Sequence, residues 1–293
     1  MKILLTGNKG FIGTYLEKAL IDQGHSVVGF DLPENTICSD YDIDNIFKQN
    51  KIDLCLHVAA IADLYNSMSD QLLNFDVNVY GTYILAEYCK QFSVKMIYIS
   101  TCCVYSNILE DISIENKTYP QCHEPYATSK LAAEFMLRGI PDLQYVILRI
   151  GTTYGINMRE SLFTYIALDR IHKDIEIEVH GTGYQTRQLI YIDDLVSGIL
   201  SAVNRFDDIQ KEIINITGEN KISVWDTINS AQKAISTKFP NRMFKARTIN
   251  QRYGQTFDEN ISIKKAKNLL DWKPLSNFND MMTHIYKNDK RFG

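Results

Sequence analysis

No tract of clustered lysine and arginine occurs in this chain, and its formal net charge is −4. Nucleic acid is therefore not an expected partner, because phosphate backbones are gripped by grouped cations. Cysteine is sparse and scattered. The six thiols, Cys38, Cys55, Cys89, Cys102, Cys103 and Cys122, form no C-x-x-C and no metal-ligand spacing. No metal site is expected from them, and a reduced, cytoplasmic compartment is predicted. The first apolar run is cut short by Gly7, Gly10 and Gly13, so it reads as neither a signal peptide nor a membrane span. Internal repeats and low-complexity linkers are also missing. What remains is an ordinary globular composition, 45% hydrophobic and 23% charged. At 293 residues the chain exceeds what one core usually serves, which predicts two lobes.

Lys2-Ile3-Leu4-Leu5-Thr6 reads as a buried parallel strand, followed by Gly7-Asn8-Lys9-Gly10-Phe11-Ile12-Gly13 and then apolar residues at helical spacing. Strand, glycine turn and helix form the context of a phosphate-cradling loop. Glycines let the backbone approach a pyrophosphate, and the helix start offers free N–H groups. A second strand, His25 to Phe30, ends at Asp31, 18 residues past Gly13. A carboxylate there can bond the adenosine ribose hydroxyls and repels a 2′-phosphate, which favours NAD over NADP. A short helix over Asp40 to Gln49 follows. The third strand, Asp53 to Ala60, ends in small residues, and its His57 reads as a packed structural histidine. A long helix from Ser67 to Lys90, a fourth strand Val94 to Ser100 and a fifth Tyr145 to Ile150 complete the alternation. Strands and helices alternating this way predict an α/β fold with a doubly wound parallel sheet, whose ligands bind at the strands' carboxyl ends. Gly7, Asp31, Ala59, Thr101 and Gly151 all fall at that edge.

The centre of the reading is Pro125-Tyr126-Ala127-Thr128-Ser129-Lys130. Proline opens a helix well, and Tyr126 and Lys130, one turn apart, share a face. An ammonium ~4 Å from a phenol in an effective dielectric of ~20 lowers the phenol by up to ~3 pKa units, towards the range for acid/base work. By itself the spacing also suits an ordinary Tyr and Lys on a helix. In the second half, Ser161 to Lys173 reads as a helix and Asp193 as the cap of another that ends near Asn204. Ile213 to Ile216 reads as a core strand, and Ser223-Val224-Trp225-Asp226 as a capping box. Basic residues gather at Lys245, Arg247 and Arg252.

Together these residues resemble the extended short-chain dehydrogenase/reductases of the NAD-dependent nucleotide-sugar epimerase/dehydratase type. The resemblance runs from Thr6-Gly7 to Trp272-Lys273-Pro274. Thr6-Gly7-x-x-Gly10-Phe11-Ile12-Gly13 is similar to the family's cofactor loop, His57-x-Ala59-Ala60 to its H-x-A-A stretch, and Asn78-Val79-x-Gly81-Thr82 to its N-V-x-G-T helix. Thr101, four residues before Tyr105, matches the catalytic hydroxyl, and Tyr126-x-x-x-Lys130 the Y-x-x-x-K pair. The resemblance implies a Rossmann-type NAD-binding domain, 1–151 plus about 188–217, and a smaller discontinuous substrate domain, 152–187 plus 218–293. It implies cofactor contacts from Gly7, Gly10, Phe11, Ile12, Gly13, Asp31, Leu32, Ala59, Ala60, Asn78, Tyr126 and Lys130. On the substrate side, Gly181-x-Gly183-x-Gln185-Thr186-Arg187 and Arg252-Tyr253-Gly254 imply two arginines for a nucleotide diphosphate, whose oxygens a guanidinium fork can grip. Thr152 stands where the family has Asn in a nucleotide contact, and Ile37 near its adenine-reading acid. Cys102 and Cys103 stand where 4,6-dehydratases carry two acids, which argues against that reaction. Cys103 also matches a cysteine of GDP-sugar epimerase-reductases, but Asn157 replaces their histidine, so Cys103 reads as a packed thiol.

The implied activity is hydride removal and return at a carbinol carbon of a nucleotide-diphosphate sugar, expected at C4, with Thr101, Tyr126 and Lys130 catalytic. A keto-reductase on the same triad and a non-catalytic NAD-sensing protein remain open alternatives at this point. A homodimer pairing the 67–90 and Tyr126 helices is implied by the resemblance alone.

Overall fold

The computed structural model describes residues 1–62, 69–105, 112–122, 124–251 and 258–293. Strands β1 (Lys2–Thr6), β2 (Ser26–Phe30), β3 (Leu54–His57), β4 (Lys95–Thr101) and β5 (Tyr145–Ile150) join Ile213–Ile216 in one six-stranded sheet. All its pairings are parallel, in the order Ile213–Ile216, β5, β4, β3, β1, β2. β1 lies between β2 and β3, so the winding reverses at β1. The crevice of such a sheet opens at that reversal, beyond the carboxyl ends of β1 and β3.

Both sheet faces are covered, and the period-two alternation of the strands supplies both. Ile3 and Leu5 face one core, with Leu16 and Leu20 of helix α1 (Phe11–Asp22) and Leu195 and Ile199 of helix Ile192–Asn204. Leu4 faces the other, with Ile43 and Phe47 of helix α2 (Asp40–Gln49), Leu85 and Cys89 of helix Thr82–Gln91, and Ala133 and Leu137 of helix Pro125–Gly139. The first core does not stop at the sheet. It runs unbroken through Leu168, Ile228 and Met282 to Phe292, so the C-terminal helices share it.

The expected elements stand with small shifts at their ends. Pro125 opens its helix as predicted, and the Ser223–Asp226 capping box forms in full. Two expectations change. The long helix, whose expected start at Ser67 lies outside the described residues, carries a wide π-helical turn at Asp76–Gly81 between Gln71–Phe75 and Thr82–Gln91. Asp193 is not a cap. Its helix begins at Ile192 with Tyr191 in the cap position, and the neighbouring Asp194 carboxylate instead accepts the Leu275 and Ser276 N–H groups at 3.1 and 3.0 Å. Trp272 Nε1 bonds the same turn, through the Asp194 carbonyl at 3.2 Å and Ser197 Oγ at 2.9 Å.

Candidate active site

The glycine loop is built for close approach. Gly7 has φ +73°, a left-handed conformation, and a Cβ there would lie 2.8 Å from Ala59 N. A Cβ on Gly13 would lie 1.9 Å from Gly7 O, so no larger residue fits the turn. Gly10 occupies the N-cap of α1 with no side chain to cap it, which leaves first-turn N–H groups for an anion. Asp31 closes the loop from β2: its Oδ2 accepts Lys9 N–H at 2.9 Å and its Oδ1 accepts Leu32 N–H at 2.8 Å. Lys9 Nζ returns to the Leu32 carbonyl and to Glu34. A bare turn at a helix start, with a carboxylate fixed beside it, fits a dinucleotide. Ile37 is buried in the core against Gly81.

His57 has no solvent exposure, and both its nitrogens are satisfied, by Thr6 Oγ1 at 2.7 Å and Thr82 Oγ1 at 2.9 Å. Thr6 Oγ1 already accepts the Val58 and Ala59 N–H groups, and Thr82 donates to the Asn78 carbonyl. The proton therefore sits on Nε2 and Nδ1 accepts. Burial, and then the charge of Lys130, push this imidazole well below its usual range, so it stays neutral and braces β1 against β3.

The Tyr126 phenol stands within interaction range of the Thr101 side chain, where the carboxyl end of β4 meets the start of helix Pro125–Gly139. Burial raises the phenol above its usual value. Cys103 adds to the rise, and Thr101 and then Arg159 oppose it. Lys130 is not among the groups that dominate this phenol. Its ammonium lies 4.1 Å above the Tyr98 ring, and burial lowers it to about 7 against partial support from Glu134. Tyr126 and Lys130 stand one turn apart on this helix, and the recorded contact of the ammonium is with the Tyr98 ring. Asn78 stands in the π-helical turn. Its amide is buried and occupied, accepting Ile61 N–H at 2.9 Å and donating to the Ile61 carbonyl at 3.1 Å and Ser129 Oγ at 3.0 Å. It ties the segment after β3 to the Tyr126 helix.

From the same helix runs a buried polar network that sequence reasoning missed. Glu134 grips Arg149 of β5 through Nε at 2.9 Å and Nη2 at 2.6 Å, and Ser100 donates to the same carboxylate at 2.5 Å. Arg149 Nη1 donates to Tyr105 OH at 2.6 Å, and Tyr105 donates to Asn215 Oδ1 at 3.2 Å. Glu134 lies one turn past Lys130, a spacing that would have flagged it.

On the substrate side Arg187 is partly buried, with Nη1 donating to the Thr186 carbonyl at 2.8 Å and Nε 3.5 Å from Glu259. Glu259 also accepts Gln188 N–H at 3.0 Å. Cys103 is held by its N–H, which bonds Thr101 Oγ1 at 3.1 Å. Burial pushes its thiol up to about 11, with Glu259 and Glu124 adding to the rise and Thr101 and Arg187 opposing it. Thr152 follows β5, its carbonyl accepting Ile190 N–H at 3.0 Å. Arg252 lies outside the described residues. Lys245 and Arg247 do not join the site: they pair with Asp174, Glu176 and Glu178. Glu124, Glu259 and Arg159 carried no local sequence signal.

The chain is 28% identical over 305 residues to a UDP-glucuronate 4-epimerase of Thermodesulfobacterium geofontis, covering 92% of this chain and 90% of that one. It is 29% identical over 233 residues to a dTDP-D-glucose 4,6-dehydratase of Dictyostelium discoideum, covering 67% and 54%. The solved structure of a UDP-glucuronic acid 4-epimerase from Bacillus cereus, in complex with UDP-glucuronic acid and NAD, superposes with a TM-score of 0.90 at 27% identity over 100% of both chains. Residues 3–217 match the NAD dependent epimerase/dehydratase family, and the chain belongs to that family.

Proposed function

We propose that this protein is an NAD-dependent nucleotide-sugar epimerase that removes and returns hydride at a sugar carbinol carbon, C4 being the expected one. The observation that carries the reading is the approach of the Tyr126 phenol to the Thr101 side chain at the carboxyl end of the sheet, the end that also carries the glycine turn. NAD, when bound, supplies the hydride acceptor and, in its oxidised form, a cationic ring. Gly7, Gly10, Phe11, Ile12 and Gly13 would hold its pyrophosphate, Asp31 and Leu32 its adenosine half, and Ala59 and Ala60 would leave room for the flat ring.

Tyr126 takes the sugar hydroxyl proton, and Thr101 bonds the same oxygen and steadies developing charge. Burial alone keeps this phenol protonated, so positive charge beside it is required for the phenolate. Lys130, able to carry charge near neutral pH, contributes part of it. Asn78 acts as a brace and not as a cofactor contact. Arg187, Arg252 and Thr152 take the nucleotide diphosphate. Cys102 and Cys103 stand in the dehydratase acid positions, and burial raises both thiols. Protonated thiols are poor bases, which favours epimerisation over 4,6-dehydration.

Residues 152–187 and 218–293 would form the sugar-nucleotide side, over the dinucleotide side of 1–151 and 188–217. Exposed Leu72, Phe75, Tyr80, Tyr83 and Phe135 lie on the two helices expected to pair in a homodimer. Six free thiols accord with a cytoplasmic setting. Incubation of the NAD-loaded protein with a panel of nucleotide sugars, with product stereochemistry read by NMR, tests the reaction. Tyr126→Phe is expected to lose turnover by at least a hundredfold and keep NAD binding; full activity in that variant removes Tyr126 from the mechanism.

A further inference from the structure

Side chains alternate along β4, so Tyr98 and Ser100 share the face covered by helix Pro125–Gly139. That helix returns Lys130 and Glu134, one turn apart. Two rungs result: Lys130 Nζ stands 4.1 Å from the centre of the Tyr98 ring, over its face, and Ser100 donates to Glu134 at 2.5 Å. Glu134 is further committed to Arg149 of β5, through bonds of 2.9 and 2.6 Å. It supports Lys130 only through space, and among the described residues no hydrogen bond or ion pair holds the ammonium. Lys130 is 1% exposed, so water does not take that place. The other titratable neighbours carry no charge to offer it. His57 of β3, whose ring centre is 5.6 Å from that of Tyr98, is held neutral by burial, as is the Tyr126 phenol one turn earlier on the helix. Tyr98 is itself fully buried and kept protonated. Its hydroxyl makes no hydrogen bond of ordinary geometry among the described residues; nearby Thr82 Oγ1 is taken by His57 Nε2 at 2.9 Å and donates to the Asn78 carbonyl at 2.7 Å. What this phenol offers the ammonium is the negative face of its ring.

We propose that Tyr98 is a positioning residue of the reaction: its ring face seats the Lys130 ammonium and keeps that side chain ordered and charged on the helix that carries Tyr126. The consequence for turnover rests on the epimerase reading above; the seat itself does not. A cation over a ring face gains most when both are out of water, and here both are buried.

The test drains the ring of charge and keeps its shape. Tyr98→Phe retains the aromatic face. Fluorinated phenylalanines at the same position, up to the pentafluoro form, withdraw charge from that face in steps with little change in size, so the series is read even where its last member folds poorly. Each is made in the full chain, with and without Lys130→Met. In the cofactor-free protein the readout is the thermal midpoint against pH. Subtracting the matching Lys130→Met profile leaves the lysine's share and cancels that of His57. Tyr98→Phe is expected to keep the stability rise that begins near the Lys130 value of about 7. The fluorinated rings are expected to start that rise lower, by about one pH unit at the end of the series, and to have no effect in Lys130→Met. In the NAD-loaded protein, kcat for a nucleotide sugar at pH 7 should fall about fivefold with the most fluorinated ring and KM should hold, whereas Tyr98→Phe keeps both. Fluorinated rings whose profile matches that of Tyr98→Phe overturn the proposal. So does a shift of the same size in Tyr98→Phe, which assigns the seat to the hydroxyl. A graded shift without turnover of any nucleotide sugar leaves the seat standing and defeats the epimerase reading. Turnover with an unshifted profile does the reverse.

Discussion

Replacing Arg149 with Met removes a guanidinium and keeps most of the side chain's bulk. Arg149 and Glu134 are 4% and 1% exposed. The pair is joined by two short bonds, Nε to Oε1 at 2.9 Å and Nη2 to Oε2 at 2.6 Å, and Arg149 also donates to Tyr105. The substitution leaves a carboxylate inside the protein with Ser100 as its remaining close donor. Breaking one side of a buried pair costs about 3–5 kcal/mol, because the survivor keeps its desolvation penalty and loses its counter-charge. At roughly 2–4 °C per kcal/mol, the thermal midpoint should fall by about 6–20 °C, read by circular dichroism at pH 7. The companion variant, Glu134→Leu with Arg149→Met, removes both charges. It should recover at least half of the loss, since an apolar pair of similar volume is often neutral; the remaining deficit reflects the stranded Ser100 hydroxyl and the donor lost to Tyr105, which keeps Asn215. A double variant no more stable than Arg149→Met alone would refute this account, because the cost would then lie in packing and not in an uncompensated charge.

Burial lowers Lys130 to about 7, against 10.5 in the unfolded chain. Between those values the unfolded chain binds more protons, so the cofactor-free protein should gain stability as pH rises from about 7 towards 10, by at most ~1.4 kcal/mol per unit, with no such gain below 7. Lys130→Met should flatten that rise; a wild-type midpoint that does not respond between pH 7 and 9 counts against a neutralised lysine. Gly13→Ala places a methyl 1.9 Å from the Gly7 carbonyl and should abolish NAD binding measured by fluorescence quenching, whereas binding within threefold of wild type means that the loop can relax. Asp31→Ala should narrow the NAD-to-NADP affinity ratio by about tenfold or more, and an unchanged ratio assigns cofactor choice to another group.

Local chemistry made much of this protein legible in advance. The run Lys2–Thr6, the glycine turn and α1 are neighbours in sequence, and their geometry follows from residues a few positions apart. The same holds for Pro125 opening its helix, for the Ser223–Asp226 box, and for the shared face of Tyr126 and Lys130. His57 was readable as a packed histidine, although its two threonine partners were not.

What tertiary structure alone decided are meetings between distant segments. Glu134 finds Arg149 15 positions away, Arg187 finds Glu259, and Lys130 is taken by the ring of Tyr98. Each depends on which strand lies beside which. Parallel strands carry no local mark of their neighbours, because their connections are long and the order is set by the packing of both faces. The amino-acid sequence by itself therefore determined the elements, the glycine turn and the candidate site side chains. The charge states of those side chains were decided by burial and by partners that only the folded sheet brings within reach.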